Sequence, residues 1–456
     1  MDTLLARAAP LIPPAPRVHA RPVRNLRALW EMRRNMIGAW SDSDFDALMT
    51  PYVFLGRPGL VVSDPAGVRQ VLGSHAARYQ RPRQAGRPIR PLVGEGLLLS
   101  EGETWRRQRK ALAPVFTPAA VGALIPRFSA AGVALVEALA GHPTANLAES
   151  FHHATLDAVL RALFSRPSRT DGADLARLAR GYLTEASRFS LFDFIAQGDD
   201  DFAFANGRRR ALGGQWFRAV EALIADRRAA PDQGGGDLLD RLIAARDEDG
   251  APLADTEIRD QCGTMLAAGF ETTSRLLFWT VLLLALDPRA QDRVRGEIAA
   301  YPPDTVETLD DLKAWPLMRS VLMEALRLYP PAPLIAREAV RADEVLGHRV
   351  EPGHMVMISP WLMHRHRKLW DQPNAFLPDR FIDQPHPWGL EAFIPFGAGP
   401  RVCIGASFAL AEAQLLLAHL LQAFQITRTD ERPVLPVAAV SLGPDHEPDF
   451  RLTPIA

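Results

Sequence analysis

A cysteine stands just before a predicted helix, at the end of a glycine-rich loop. Residues 396–405 read FGAGPRVCIG, and the cysteine of this run is Cys403. Free backbone N–H groups and the positive end of a helix dipole stabilise a thiolate at such a position, and Arg401 adds a fixed positive charge. The pattern predicts a thiolate ligand for a single iron. Because the chain has one other cysteine, Cys262, a macrocycle would have to supply the remaining ligands.

The glycines of this loop fit the same interpretation. Gly399 lets the loop fold without a side-chain clash, and Gly405 leaves space for a flat group beside the backbone. The run resembles the haem-binding signature of the cytochrome P450 superfamily, Phe-x-x-Gly-x-Arg-x-Cys-x-Gly, at all five fixed positions. The resemblance implies haem b as cofactor and Cys403 as the iron ligand. It also implies that four further residues bind the haem: Phe396, Gly399, Arg401 and Gly405.

A second pattern is an acid and a base three residues apart, Glu324 and Arg327, on a predicted helix. Residues at this spacing share a helix face and can form an ion pair. The other residues of this predicted helix are mostly apolar, which indicates that the helix is buried. The pair resembles the Glu-x-x-Arg of the same superfamily, where it joins an arginine of a Pro-x-Arg-Phe segment, here Arg380. The implied role is structural, since the three side chains would hold the loop that positions Cys403.

A third pattern lies midway along a long predicted helix, where Ala268 and Gly269 precede Glu271 and Thr272. Glycine inside a helix is costly, and we expect it to permit local opening of the hydrogen-bond ladder. The Thr272 hydroxyl can donate to a molecule bound beside the helix. The segment resembles the oxygen-binding motif of the superfamily. The resemblance implies that Thr272 steadies dioxygen and helps to protonate it, while Glu271 relays protons from solvent.

A fourth pattern is Trp105 and Arg109, four residues apart on one predicted helix face. An indole N–H and a guanidinium at this spacing can bind one carboxylate. The resemblance implies that they bind a haem propionate. It names Arg337 as a weaker propionate-binding candidate and Arg401 as a stronger one.

Composition excludes several classes of protein. The 456 residues carry 52 Lys+Arg against 53 Asp+Glu, a formal net charge of −1, which argues against a nucleic-acid binder. Two cysteines exclude a disulfide framework. No uninterrupted apolar run reaches the ~18 residues of a membrane span, so none is expected. The sequence also lacks a phosphate-binding loop ending in Lys, His-Glu-x-x-His and Gly-x-Ser-x-Gly.

Periodicity predicts a mainly α-helical fold with small β-sheets. Helices are expected from about Thr256 to Leu286 with Asp255 as N-cap, from Pro316 to about Tyr329, and from just after Cys403 to about Phe424. Strand patterns lie at Tyr52–Val62 and Val345–Ile358, with a weaker one near the C-terminus. We expect one large cytochrome P450-type domain at 36–456, preceded by a Pro/Arg-rich surface arm at 1–35.

The leading functional prediction is a haem-thiolate monooxygenase that oxidises a hydrophobic small molecule with O₂. The resemblance favours a soluble ferredoxin and its reductase as electron donors. A soluble cytoplasmic protein is the default expectation, and we expect a monomer. Basic residues on the thiolate side, such as Arg380, would attract an acidic partner. The alternatives are a peroxygenase, an isomerase that needs no electrons, and a non-catalytic haem sensor.

The resemblance also indicates which segments face the substrate, which could be fatty acyl, terpenoid or aromatic. A carboxylate anchor among Arg83, Arg87 and Arg90 is the less favoured interpretation. The expected segments are Arg81–Leu98, parts of Tyr182–Phe204, Met265–Phe270, Pro333–Ala336 and Ser441–Leu442.

Overall fold

The computed structural model describes residues 10–23, 25–54, 56–166, 175, 177–179, 181–182, 207–229, 236–246, 250–382 and 391–455. Within these ranges helices dominate and the strands are short, so the expected fold class is confirmed. The helices are α1 Asn25–Arg34, α2 Pro65–Arg69, α3 Arg83–Gly86, α4 Arg90–Val93, α5 Gly102–Leu112, α6 Pro118–Gly122, α7 Ile125–Leu139, α8 Leu147–Phe164, α9 Gly207–Ala229, α10 Leu238–Ala244, α11 Asp255–Leu286, α12 Pro288–Ala300, α13 Pro316–Leu328, α14 Pro360–Met363 and α15 Ala406–Ala423.

Helix α11 is 32 residues long. Its second half is apolar on nearly every side and is buried inside the fold. It packs against α8, α13 and α15. The expected N-cap is wrong by one residue. Asp255 is the first helical residue, and its carboxylate pairs with Arg228 at 2.6 Å. The Glu257 carboxylate instead accepts a hydrogen bond from the N–H of Ala254 at 3.1 Å.

Two contacts show which parts of the chain pack beside α11. Gly269 lets α8 approach closely, since an added Cβ would lie 3.1 Å from the Val159 side chain. Trp279 stacks on Tyr329 with ring centroids 4.1 Å apart, and its indole N–H donates to the carbonyl of Leu442 at 2.9 Å. The second contact places the turn at 439–442, called the C-terminal turn below, against the second half of α11.

Four small sheets lie within the described ranges. The largest has the strand order β1-β2-β8-β5-β3 and encloses its own small apolar core. Strand β3 pairs antiparallel with β5, with Gln80 opposite Glu338. This register brings Arg81, which follows β3, close to Arg337 on β5. The strands are β1 Met49–Phe54, β2 Arg57–Val62, β3 Tyr79–Gln80, β4 Thr144–Asn146, β5 Ile335–Ala339, β6 Asp343–Val345, β7 His348–Val350, β8 Met355–Ile358, β9 Phe424–Arg428, β10 Pro436–Ala438, β11 Leu442–Pro444 and β12 Asp449–Pro454.

The described part of the N-terminal arm packs along the domain. The N–H of Phe376 donates to the carbonyl of Leu11 at 2.8 Å, and the hydroxyl of Tyr329 donates to the carbonyl of Pro14 at 2.8 Å. Met32 lies in the wall of the central cavity. Residues 1–9 and 24 of the predicted arm lie outside the described residues, and the boundary at residue 35 stays a prediction.

Three helical stretches of the described chain are long and apolar enough to cross a membrane: Pro118–Leu139, Asp255–Leu286 and Ala406–Ala423. In the latter two, 72% and 67% of the apolar window is buried inside the fold. The expected absence of a membrane span therefore stays a prediction.

Candidate active site

A cavity of about 1840 Å³ lies between α11 and the loop that precedes α15. The wall formed by α11 carries Ala268, Gly269, Glu271 and Thr272, and Cys403 lies in the wall formed by the loop. A single small-molecule pocket is usually ~300–1,000 Å³, so this cavity has room for two bound groups.

The cysteine loop depends on glycine at one position above all. Gly399 has φ +68°, and an added Cβ would lie 1.8 Å from the carbonyl oxygen of Leu72, so a larger residue would break the contact with the adjoining turn. The N–H of Cys403 donates to the carbonyl of Phe396 at 2.9 Å, which closes the loop. Beside Gly405, an added Cβ would meet only Phe116, at 3.8 Å, so the backbone there is open to a bulky group.

The Cys403 thiol does not ionise more easily than usual in the protein alone. Burial raises the pKa of Cys403, while the N–H of Gly405 and the charge of Arg109 lower it by less. The N–H of Gly405, at the start of the helix, and the charge of Arg109 therefore favour the thiolate, while desolvation opposes them. Direct bonding to a metal ion deprotonates a cysteine outright. The sulfur faces the cavity and suits that role.

Four arginines and one indole line the cavity on the same side as Cys403: Arg81, Arg109, Arg337, Arg401 and Trp105. Burial lowers the pKa of Arg81 to about 10, helped by the charges of Arg337 and Arg401. Its buried Nη1 has no hydrogen-bond partner among the described residues. The Arg401 guanidinium lies 4.4 Å from the Trp105 ring centroid and pairs with Glu101. Such a desolvated set of cations calls for anionic groups, and the two carboxylates of a haem fit it.

Arg81 is a cofactor-binding candidate that sequence reasoning missed. Our prediction treated it only as the first residue of a substrate-facing segment. The signal that could have found it is the β3–β5 pairing, which sets it near Arg337. That pairing joins residues more than 250 positions apart and has no local signature.

The acid–base pair on α13 forms a fully buried network. Arg327 donates from Nε and Nη2 to the two carboxylate oxygens of Glu324, at 2.6 and 2.7 Å. Its remaining donors reach the carbonyls of His364, Pro373 and Ala375 at 2.6–2.8 Å.

Arg380 completes this network, with Nε 3.1 Å from Glu324 Oε1 and a side chain only 4% exposed. The prediction that Arg380 attracts an acidic partner is therefore wrong, because its side chain is buried and bound to Glu324. The three side chains of the network tie α13 to the segment that follows α14.

On the opposite wall, Thr272 lies in the cavity and its hydroxyl donates to the carbonyl of Ala268 at 2.7 Å. Helix α11 runs without interruption through this point, so the predicted opening of its hydrogen-bond ladder is absent. The role of Gly269 in the structure is to admit Val159 of α8.

Glu271 belongs to a second buried network. Its Oε1 accepts from Ser441 Oγ at 2.7 Å and from Arg275 Nε at 3.0 Å, while Oε2 lies 2.8 Å from His152 Nε2. Arg275, His152 and Ser441 lower the pKa of Glu271 in spite of its burial, so it is a carboxylate at neutral pH. Arg275 could have been found from its i+4 spacing. His152 and Ser441 are 119 and 170 residues away and gave no such signal.

The expected substrate-facing segments reach the cavity in part. Leu98, Met265, Leu334, Ala336 and Ser441 line it. The segment 182–204 lies outside the described residues apart from Tyr182. The arginines of the less favoured carboxylate anchor, Arg83, Arg87 and Arg90, are absent from its described lining.

Comparisons with known proteins agree with this geometry. The family described as Cytochrome P450 matches residues 48–445. The chain is 32% identical to Cytochrome P450 4F3 of Rattus norvegicus over 83% of this chain and 77% of that protein. It is 30% identical to Putative cytochrome P450 132 of Mycobacterium bovis, over 91% and 94% of the two chains. Cyclooctatin synthase of Streptomyces melanosporofaciens is 29% identical over 86% of this chain and 87% of that protein. The chain therefore belongs to the cytochrome P450 family of haem-thiolate monooxygenases.

Proposed function

We propose that this monooxygenase transfers one oxygen atom of O₂ to an apolar small molecule, with electrons from a separate ferredoxin and ferredoxin reductase. The overall balance is substrate C–H, O₂, two electrons and two protons giving C–OH and water. The observation that carries the proposal is one mainly apolar cavity with Cys403 in one wall and Thr272 in another.

The residues of the thiolate side would hold haem b. Cys403 would ligate its iron, and the haem then supplies the chemistry that activates O₂. Arg81, Arg109, Arg337 and Trp105 would bind its carboxylates. Arg401 already has an anionic partner in Glu101 and would add its charge from beside Trp105. Phe396, Gly399 and Gly405 would shape the loop around the sulfur.

The α11 wall would supply protons. Thr272 carries a hydroxyl in the cavity wall that donates to the carbonyl of Ala268, and it would turn from that carbonyl to donate its proton to a bound molecule. Ala268 and Gly269 leave the adjoining surface free of long side chains. Glu271, next in the chain and also in the cavity wall, would connect this hydroxyl with the outside.

The lining favours an uncharged, apolar substrate. The apolar residues of the lining include Ile89, Leu92, Val93, Leu97, Met265, Leu334 and Val440. The absence of Arg83, Arg87 and Arg90 from the described lining removes the support for a carboxylate anchor. We therefore favour a terpenoid or aromatic compound over a free fatty acid.

The electron donor would bind at α5 and not at Arg380, because the side chain of Arg380 is buried. Arg106 and Lys110 are exposed one turn apart on this helix, and Arg109 between them is close enough to Cys403 to affect its pKa. A basic face over the thiolate fits an acidic ferredoxin. We also propose that the protein is a cytoplasmic monomer without a membrane span.

The experiment supplies haem-loaded protein with a [2Fe–2S] ferredoxin, its reductase, NADPH and ¹⁸O₂. Test compounds are chosen by their low-spin to high-spin Soret shift. One ¹⁸O atom in the product is expected, together with reduction that slows as salt rises. Product formed with H₂O₂ but not with the electron donors would favour a peroxygenase instead. Reduction indifferent to salt would contradict the α5 docking surface.

A further inference from the structure

The ring of His152 on α8 is held between two acceptors. Its Nδ1 lies 2.8 Å from the carbonyl oxygen of Ala148, and its Nε2 lies 2.8 Å from Oε2 of Glu271. A carbonyl oxygen only accepts, so Nδ1 carries a hydrogen. The second contact also needs a hydrogen, either on Nε2 or on the carboxylate. The pair His152–Glu271 therefore holds one proton beyond those of a neutral imidazole and a carboxylate.

The surrounding groups decide where that proton rests. From α11, the Arg275 guanidinium donates to Glu271 Oε1, and from the C-terminal turn Ser441 donates to the same oxygen. Glu447 lies 3.9 Å from Arg275, while Glu149 and His153 form a separate pair on the outer side of α8. Two donors on Oε1 favour the ionised acid. The shared proton accordingly rests on Nε2 of His152.

The network joins two sides of the protein. Glu271 and Ser441 line the cavity next to Thr272. His152 has 10% of its side chain exposed, Arg275 16% and Glu447 34%, against 6% for Glu271. A proton taken up from solvent at Nε2 of His152 can reach Glu271 directly.

We propose that His152 stores a proton and passes it to Glu271 during oxygen reduction. The proton moves from Nε2 to Oε2, which leaves a neutral imidazole that keeps its Nδ1–H on Ala148. Water at the outer side restores the proton, and no electrons move in this step. His152 is thus a positioning residue that acts through Glu271. The proposal depends on the proposed monooxygenase reaction. It does not depend on which substrate or which electron donor the protein uses.

A purely structural ion pair would show the same distances, so the test must detect the proton. The first readout is the ¹⁵N spectrum of histidine-labelled protein in its reduced, CO-bound form. We expect both ring nitrogens of His152 to carry a proton, with the 55% exposed ring of His153 as the reference signal. We also expect the variant Glu271→Gln to leave His152 neutral. An unprotonated Nε2 in the wild type would overturn the proposal.

The second readout is oxygen consumption with the ferredoxin couple, measured in H₂O and D₂O. The variant His152→Gln keeps a donor side chain that cannot release a proton. It is expected to slow turnover about tenfold or more and to raise the solvent isotope effect, as loss of a general acid does. The exposed neighbour supplies the control, His153→Gln, which should change neither value.

An unchanged rate in His152→Gln, or a slower rate with an unchanged isotope effect, would contradict proton transfer through this ring. Failure of every electron donor would instead count against the proposed electron supply. In that case, or if His152→Gln does not fold, the nitrogen spectrum of the wild type decides.

Discussion

Glu324 and Glu271 are both buried carboxylates that accept hydrogen bonds from arginines, and their surroundings differ. Glu324 and Arg327 are 0% exposed, and every further donor of Arg327 reaches a backbone carbonyl. Glu271 is 6% exposed and is bound by a hydroxyl, an imidazole and an arginine that is itself 16% exposed. One network is closed to solvent, and the other leads from the cavity toward it.

The difference shows how the same ion-pair chemistry serves two purposes. Backbone carbonyls cannot gain or lose protons, so the Glu324 network can only hold chain segments together. The Glu271 network contains a titratable ring and borders the cavity, so it can carry protons. The predictions below compare the two.

The largest effect is expected from Glu324→Gln, which leaves Arg327 and Arg380 without an anion. Breaking a buried ion pair costs about 3–5 kcal/mol. Glu271→Gln should cost only about 1–2 kcal/mol, since Arg275 can turn toward Glu447 and His152 can lose its proton. Denaturant unfolding of both variants gives the two free energies. Equal losses would mean that the networks do not differ in kind.

Stability should also depend on pH through the ring of His364, a residue that contributes only its backbone carbonyl to the Glu324 network. Its carbonyl accepts from Arg327, and its Nε2 accepts from the N–H of Ile394 at 3.0 Å. Burial, followed by the charges of Arg327 and Arg365, lowers the pKa of His364 to about 3. The unfolded chain therefore binds a proton that the folded chain refuses, and the free energy of unfolding falls as pH drops from 6.5 toward 3.

The variant His364→Gln isolates this contribution, because Gln can accept the same hydrogen bond without titrating. As pH falls over this range, the unfolding free energy of the variant should fall less steeply than that of the wild type. The two slopes should differ by up to about 1.4 kcal/mol per pH unit. Matched unfolding curves between pH 4 and 7 measure the slopes. Parallel slopes would show that His364 is protonated in the folded state.

On the open side, Thr272→Ala removes the hydroxyl of the α11 wall. We expect product formed per O₂ consumed to fall about tenfold or more, with H₂O₂ released in its place. The CO-bound spectrum should stay as in the wild type, since Thr272 does not hold the haem. A variant that keeps full coupling would remove Thr272 from the proton path.

The smallest effect is expected from Ser441→Ala, which deletes one hydrogen bond to Glu271. Arg275 and His152 remain, so stability should fall by only about 1 kcal/mol. Thermal unfolding measures this change. A loss comparable with that of Glu324→Gln would show that the Glu271 network is equally rigid.

Sequence reasoning located the parts of the site that lie on single helices or loops. Each of these parts has a recognisable pattern of residue types within one short segment. The segments are the loop 396–405, the Glu324–Arg327 pair and the Ala268–Thr272 stretch. It missed His152, and it assigned Arg81 and Ser441 only to substrate-facing segments, because β3–β5 pairing, α8 packing and the C-terminal turn bring them in from distant segments. It gave Arg380 both a structural role beside Glu324 and a surface role, and only the first agrees with its burial, since spacing alone does not show exposure.

The most direct test of the account is the absorption spectrum of the purified, reduced protein with CO bound. If Cys403 ligates haem iron, the Soret band lies at the red-shifted position typical of a cysteine thiolate opposite CO. The variant Cys403→His should move it to the position of histidine-ligated haem. Wild-type protein that binds no haem, or whose band matches the Cys403→His variant, would contradict the central claim.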